Sequence, residues 1–126
     1  MEELKIVVPG CPVTKKNSQR IVTTKAGRSF IIPSKKYKEY EKTASSFMPR
    51  LDKPISTPIN IRVLYYMETR RRVDLTNLLE ATDDILVNFG IIADDNFRIV
   101  AGHDGSRVYH DKECPRAEIF ITDMEE

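Results

Sequence analysis

Arg70-Arg71-Arg72-Val73-Asp74-Leu75-Thr76-Asn77-Leu78-Leu79-Glu80 sets three consecutive cations immediately before an acid at the predicted start of a helix. From Asp74, at ~100° per residue, Leu75, Leu78, Leu79, Ile85, Leu86 and Phe89 fall in one apolar sector. Asp74, Asn77, Ala81, Asp84 and Asn88 occupy the opposite sector, with Glu80 on its shoulder. Asp74 also suits the N-cap, where a carboxylate accepts a backbone N–H. Asp83 and Asp84 are expected on a solvated polar face. Asp84 lies ~15 Å along the axis from Asp74, too far for one ion to bind both. Gly90 is the expected helix stop, after which the chain is expected to turn back and carry Asp94 and Asp95 beside the helix start.

Upstream, Ile59-Asn60-Ile61-Arg62-Val63-Leu64-Tyr65-Tyr66-Met67 alternates as a strand and leads straight to Arg70. Before it, Leu4 to Val8 reads as a short strand stopped by Pro9-Gly10, and Cys11 to Arg20 as a polar, basic loop. Two β-branched runs flank Lys25-Ala26-Gly27 and predict a hairpin. Ser34 is expected to cap a helix from Lys35 to about Met48, closed by Pro49. Tyr37, Tyr40, Ala44 and Phe47 form its buried stripe, leaving Lys35, Lys38 and Lys42 outside. Downstream, Phe97 to Ala101 and Ala117 to Thr122 read as half-buried strands, with a turn at Gly102 to Arg107 and further pairing at Val108 to His110. The order predicts an α+β fold: a mixed β-sheet with two packed helices.

The chain has 126 residues, which predicts one domain spanning 1–126. It is 40% apolar and 31% charged, too apolar for general disorder. No run approaches the ~18 apolar residues of a membrane span, and the N-terminus lacks the layout of a signal peptide, so a cytoplasmic location with no membrane partner is expected. Cys11 and Cys114 stand apart, without zinc or redox spacing. The net charge of +1 hides a division. Thr14 to Arg72 holds 15 Lys/Arg against 4 Asp/Glu, and Val73 to Glu126 holds 4 against 13. The sign changes inside the quoted stretch. Cations attract phosphate, and carboxylates hold a hard ion such as Mg²⁺; side by side they suit phosphodiester hydrolysis.

The pattern Arg70-Arg71-Arg72-Val73-Asp74-Leu75-Thr76-Asn77-Leu78, then Asp84, Gly90 and Asp94-Asp95, resembles the RusA family of Holliday-junction resolvases, endodeoxyribonucleases common in phages and prophages. Pro12-Val13-Thr14-Lys15-Lys16-Asn17-Ser18 is similar to the family's basic N-terminal loop. The resemblance implies a RusA-like fold and a Mg²⁺-dependent homodimer, with Mn²⁺ as a substitute, that cuts two opposed strands of a four-way DNA junction in recombination and repair. It implies catalytic roles for Asp74 and Asp95, with Asp94 beside them and Asn77 as the motif asparagine. Thr76 stands where the best-studied members carry Asp, and Glu80 where they carry a catalytic Lys. Glu80, four residues after Thr76 and leaning toward the N-terminal turn, is expected to supply the missing acid. The expected metal site is thus Asp74, Asp94, Asp95 and Glu80. Lys15, Lys16, Asn17, Lys35, Lys38, Lys42 and Arg70 to Arg72 are the expected DNA contacts.

Two other readings stay open. One is a DNA-junction-binding protein of the same fold without catalysis, which the absence of an acid at Thr76 allows. The other is a phosphatase or phosphotransferase suggested by Asp74-Leu75-Thr76, which needs a nucleophilic Asp directly after a buried strand and a second acid two residues on.

Overall fold

The computed structural model describes residues 2–15 and 19–124, with residues 19–22 and 30–33 as backbone alone. Lys16 and Asn17 lie outside the described residues. The elements run β1 (Leu4–Pro9), β2 (Gln19–Thr23), β3 (Ser29–Pro33), α1 (Lys35–Ser45), β4 (Ile59–Met67), α2 (Leu75–Asn88), β5 (Val100–Gly102), β6 (Arg107–His110) and β7 (Arg116–Asp123). In the main sheet β7 lies between β1 and β4 and is antiparallel to both. The far side of β4 pairs in parallel with β5 near Ile59 and with β6 along Leu64 to Met67. The sheet is therefore mixed and the fold α+β, as predicted. β2 and β3 form a separate antiparallel hairpin, turned at Gly27 with φ +82°.

Alternation decides which face of the sheet is buried. Ile61, Val63 and Tyr65 of β4 lie opposite Ile121, Ile119 and Ala117 of β7, and Ile59 of β4 with Ile6 and Val8 of β1 extends the layer. Leu78, Leu79, Ile85 and Leu86 of α2 and Ala44 of α1 join it in one apolar cluster. Fully burying each such aliphatic side chain is worth roughly 1.5–3 kcal/mol, which fixes the face of α2 that meets the sheet. One polar chain crosses that layer. The Tyr65 hydroxyl donates to Thr82 Oγ1 at 2.6 Å, because the Thr82 hydrogen is engaged with Leu78 O at 3.0 Å. On the other sheet face, cations cover rings: Arg62 lies 4.0 Å and Lys5 5.4 Å from the centre of Phe120.

Four local expectations are corrected. α1 ends at Ser45, where tight bonds from Ser46 to Thr43 and from Phe47 to Ala44 break the helical rotation, so Phe47 leaves the buried stripe and is 48% exposed. Ala81 and Asp83 are buried rather than solvated, because α2 is covered on two sides: Ala81 packs with Val13 and Tyr37, and Asp83 meets His103. Phe89, assigned to the apolar sector, is at the C-cap and 38% exposed. Phe97 to Ile99 form a turn rather than a strand. Asn96 O accepts from Ile99 and Val100, and Asn96 Oδ1 accepts from Arg98 N, so the asparagine imposes a local turn that outcompetes the β pattern.

Candidate active site

β4 ends at Met67 and the exposed segment Glu68 to Arg72 carries the three arginines to the start of α2. Asp74 caps the helix with its backbone, its carbonyl accepting from Asn77 N and Leu78 N. Its side chain makes none of the expected cap bonds. Instead Asp74 Oδ2 accepts from Asn77 Nδ2 at 3.2 Å, so the two motif residues are joined and the carboxylate faces solvent. Thr76 and Glu80 lie on the exposed side of the same helix.

Gly90, at φ +74°, stops α2 as its lack of a Cβ permits. Ile91 and Ile92 then bury, and Ile55 N and O bond Ile91 O and Ala93 N, both at 2.9 Å. This anchor holds Asp94, Asp95 and Asn96 outward. Asp94 Oδ1 accepts from Asp95 N at 2.7 Å and Oδ2 from Asn96 Nδ2 at 3.2 Å. Desolvation, the hydrogen-bonded Asp94 carboxyl and the charges of Asp84 and Asp94 raise the Asp95 pKa above the usual carboxylate value, against a lowering backbone hydrogen bond. Asp83 also feels the charge of Asp95, so the Asp94–Asp95 turn lies near the second half of α2. Among the described residues no three His, Cys, Asp or Glu side chains converge as metal ligands.

Two acids of that neighbourhood have cations of their own. Lys15 Nζ lies 3.0 Å from Asp84 Oδ2 and ties the basic N-terminal loop to α2. His103 Nε2 lies 2.8 Å from Asp83 Oδ2. Sequence reading left Asp83, Asp84 and His103 out of the site, since Lys15 and Asp84 stand 69 residues apart and neither pair carries a local signal. Lys35, Lys38 and Lys42 are all exposed on α1, Lys35 only loosely paired with Glu39 at 3.9 Å. Lys36, absent from the sequence reading, lines a cleft of about 460 Å³ with Arg71, Arg72 and the Cys11 to Thr14 loop. The first turn of α1, the arginine segment and the N-terminal loop thus share one cleft, in which, among the described residues, Lys36, Arg71 and Arg72 outnumber the single acid Glu68.

The family model described as Endodeoxyribonuclease RusA matches residues 9–122. The chain belongs to the RusA family. No curated protein matches it. The matched span takes in every element of the fold except part of β1 and the last residue of β7, so the RusA assignment covers the arginine segment, the Asp74–Asn77 pair and the Asp94–Asp95 turn together. The phosphatase reading loses its geometric requirement: in this RusA chain Glu68 to Val73 separate the end of β4 from Asp74. No helix among the described residues is long and apolar enough to cross a membrane.

Proposed function

We propose that the protein is a Mg²⁺-dependent, structure-selective endodeoxyribonuclease that resolves four-way DNA junctions as a homodimer, with Mn²⁺ able to replace Mg²⁺. The RusA family match over residues 9–122 carries the reading. The exposed arginines beside an exposed carboxylate support it, because they can hold a phosphodiester where an acid is at hand.

The donor set suits a hard divalent ion. Asp74, Asp94, Asp95 and Glu80 would offer carboxylate oxygens, the donors a hard divalent ion takes. When bound, the ion would polarise the phosphoryl oxygen and stabilise the leaving oxygen. Asn77 orients Asp74 through their hydrogen bond. Arg70, Arg71 and Arg72 bind backbone phosphate, and Lys35, Lys38, Lys42, Lys15, Lys16 and Asn17 are further DNA contacts. Lys15 serves as one while paired with Asp84. Two symmetric cuts call for two identical sites, which a two-fold dimer supplies.

Incubation of the protein with a labelled four-way junction in Mg²⁺, Mn²⁺ or EDTA tests the reading. Paired cuts that need metal are expected. Junction binding without cutting in any metal would reduce the protein to a binding module, and neither binding nor cutting would overturn the reading.

A further inference from the structure

We propose that the cleft between the arginine segment and the edge strand β6 is a subsite for an unstacked nucleobase, with Tyr109 as its stacking platform. The inference rests on the DNA reading above and adds a residue to it that neither the motif nor the charge pattern singled out.

The cleft measures about 370 Å³ and runs along Arg70 to Val73 on one side and Val108 to His110 on the other. Among the described residues no carboxylate lines it. It is therefore cationic and apolar at once, a combination that suits a nucleotide, whose phosphate seeks the arginines and whose base offers a π-face. An acidic peptide would satisfy the arginines but leave the ring without a planar partner.

Tyr109 is 45% exposed and Val108 beside it 37%, an uncommon exposure for two consecutive apolar residues of a strand. The tyrosine is held in place from beneath. Its ring stacks on Tyr66, with centres 5.3 Å apart and planes 22° from parallel. Tyr66 lies under the Arg116 guanidinium at 3.8 Å. Arg116 in turn is fixed by Glu118 at 2.7 Å and Asp111 at 3.0 Å. Asp111 N bonds Met67 O at 2.9 Å, which closes the network onto the strand that leads into the arginine segment. A ring held in this way loses little freedom on stacking with a base, and the sequence-blind nature of stacking fits recognition by structure. Val73, which lines the cleft, directly precedes Asp74, so a base lodged there places its own strand next to the helix start. In a four-way junction the nucleotides at the strand exchange are the ones whose stacking is interrupted, and one of these is the occupant.

The test measures binding in EDTA, where no cutting occurs, to a four-way junction, a linear duplex and a single-stranded oligothymidine, for the parent, Tyr109→Ala and Tyr109→Phe. Tyr109→Ala is expected to weaken binding to the junction and to the single strand about tenfold, to leave duplex binding unchanged, and to keep the slope of log K against log salt, since no phosphate contact is lost. Tyr109→Phe should bind like the parent. Iododeoxyuridine placed at the exchange point should cross-link to Tyr109 on irradiation. Unchanged junction and single-strand affinity in Tyr109→Ala overturns the subsite while leaving the nuclease reading intact. A parent that prefers the junction no more than the duplex, yet loses single-strand binding in Tyr109→Ala, overturns the junction reading and keeps the subsite.

Discussion

His103 joins α2 to β4: its Nε2 lies 2.8 Å from Asp83 Oδ2 and its Nδ1 lies 2.9 Å from the Ile61 carbonyl. A carbonyl accepts only, so Nδ1 carries a hydrogen, and an ionised Asp83 needs a second one on Nε2. With Asp83 ionised, the ring is therefore an imidazolium. Desolvation pulls its pKa down, but the Asp83 hydrogen bond and charge and the Ile61 carbonyl outweigh it and hold the pKa above the usual 6.5. Among the described residues Asp83 Oδ1 is buried without a hydrogen-bond partner, and burial raises the Asp83 pKa despite the hydrogen bond and charge of His103. Removing the ring leaves that carboxylate wholly uncompensated. His103→Ala should cost about 3 kcal/mol, the lower end for breaking a buried pair, because a quarter of the His103 side chain is exposed. Asp83→Leu combined with His103→Leu should recover most of that loss in urea unfolding.

The same pair sets a pH dependence. His103 has a folded pKa above its unfolded value, so its contribution to stability is complete below about pH 6.5 and is lost as the pH rises through the folded value. Asp83 acts in the same sense at lower pH: its pKa is also raised on folding, so stability falls as the carboxyl ionises above its unfolded value. The midpoint of thermal unfolding should fall as the pH rises above about 6.5 in the parent and stay flatter in the double Leu variant. Parallel profiles for the two proteins would remove His103 as the cause.

Cutting and binding should separate at the acids. Asp74→Asn and Asp95→Asn are each expected to reduce junction cutting at least about 100-fold, the scale of removing one electrostatic group from a site. Binding should hold or tighten, because each change also removes a charge that repels phosphate. Both side chains are exposed, so stability should shift by less than about 0.5 kcal/mol. Cutting at the parent rate in either variant would dismiss that residue.

Neutralising Lys35, Lys38 and Lys42 to Gln should weaken junction binding and lower the slope of log K against log salt by up to about 3, at ~0.9 per phosphate contact. All three are exposed on one face of α1, and Lys35 is held only by Glu39 at 3.9 Å. An unchanged slope would turn this face of α1 away from DNA.

These residues also mark how far the sequence is readable. β4 is legible to its ends because Ile59, Ile61, Val63 and Tyr65 alternate without interruption, and alternation is a property of the chain alone. α2 is legible in extent but only half legible in burial. A helical projection assumes one partner, whereas α2 meets the sheet on one side and Tyr37 and Val13 on another, which buries Ala81. Asp83 reads as solvated until β5 and β6 bring His103 over it. The arginines, Asp74 and Asn77 are adjacent in the chain and so visible together. Lys15 with Asp84, and Tyr66 with Tyr109, meet only through tertiary pairing that no local pattern encodes.

Thr76 decides the last prediction. It occupies the first turn of α2, where an acid would stand beside Asp74, and it is exposed and offers a hydroxyl in place of a carboxylate. Glu80 follows one turn later on the exposed side of the helix, and helical side chains tend to point toward the preceding, N-terminal turn. If Glu80 contributes the acid, Glu80→Gln should lose metal-dependent cutting about 100-fold while thermal stability stays within about 0.5 kcal/mol of the parent. Adding Thr76→Asp to that variant should return part of the activity, since it places a carboxylate one turn nearer Asp74. Cutting by Glu80→Gln at the parent rate would show that the site runs on Asp74, Asp94 and Asp95 without it. Loss of cutting with no recovery in the double variant would mean that Glu80 is needed for something other than its charge near Thr76, and titration of Mn²⁺ binding in both variants separates that outcome from a lost ligand.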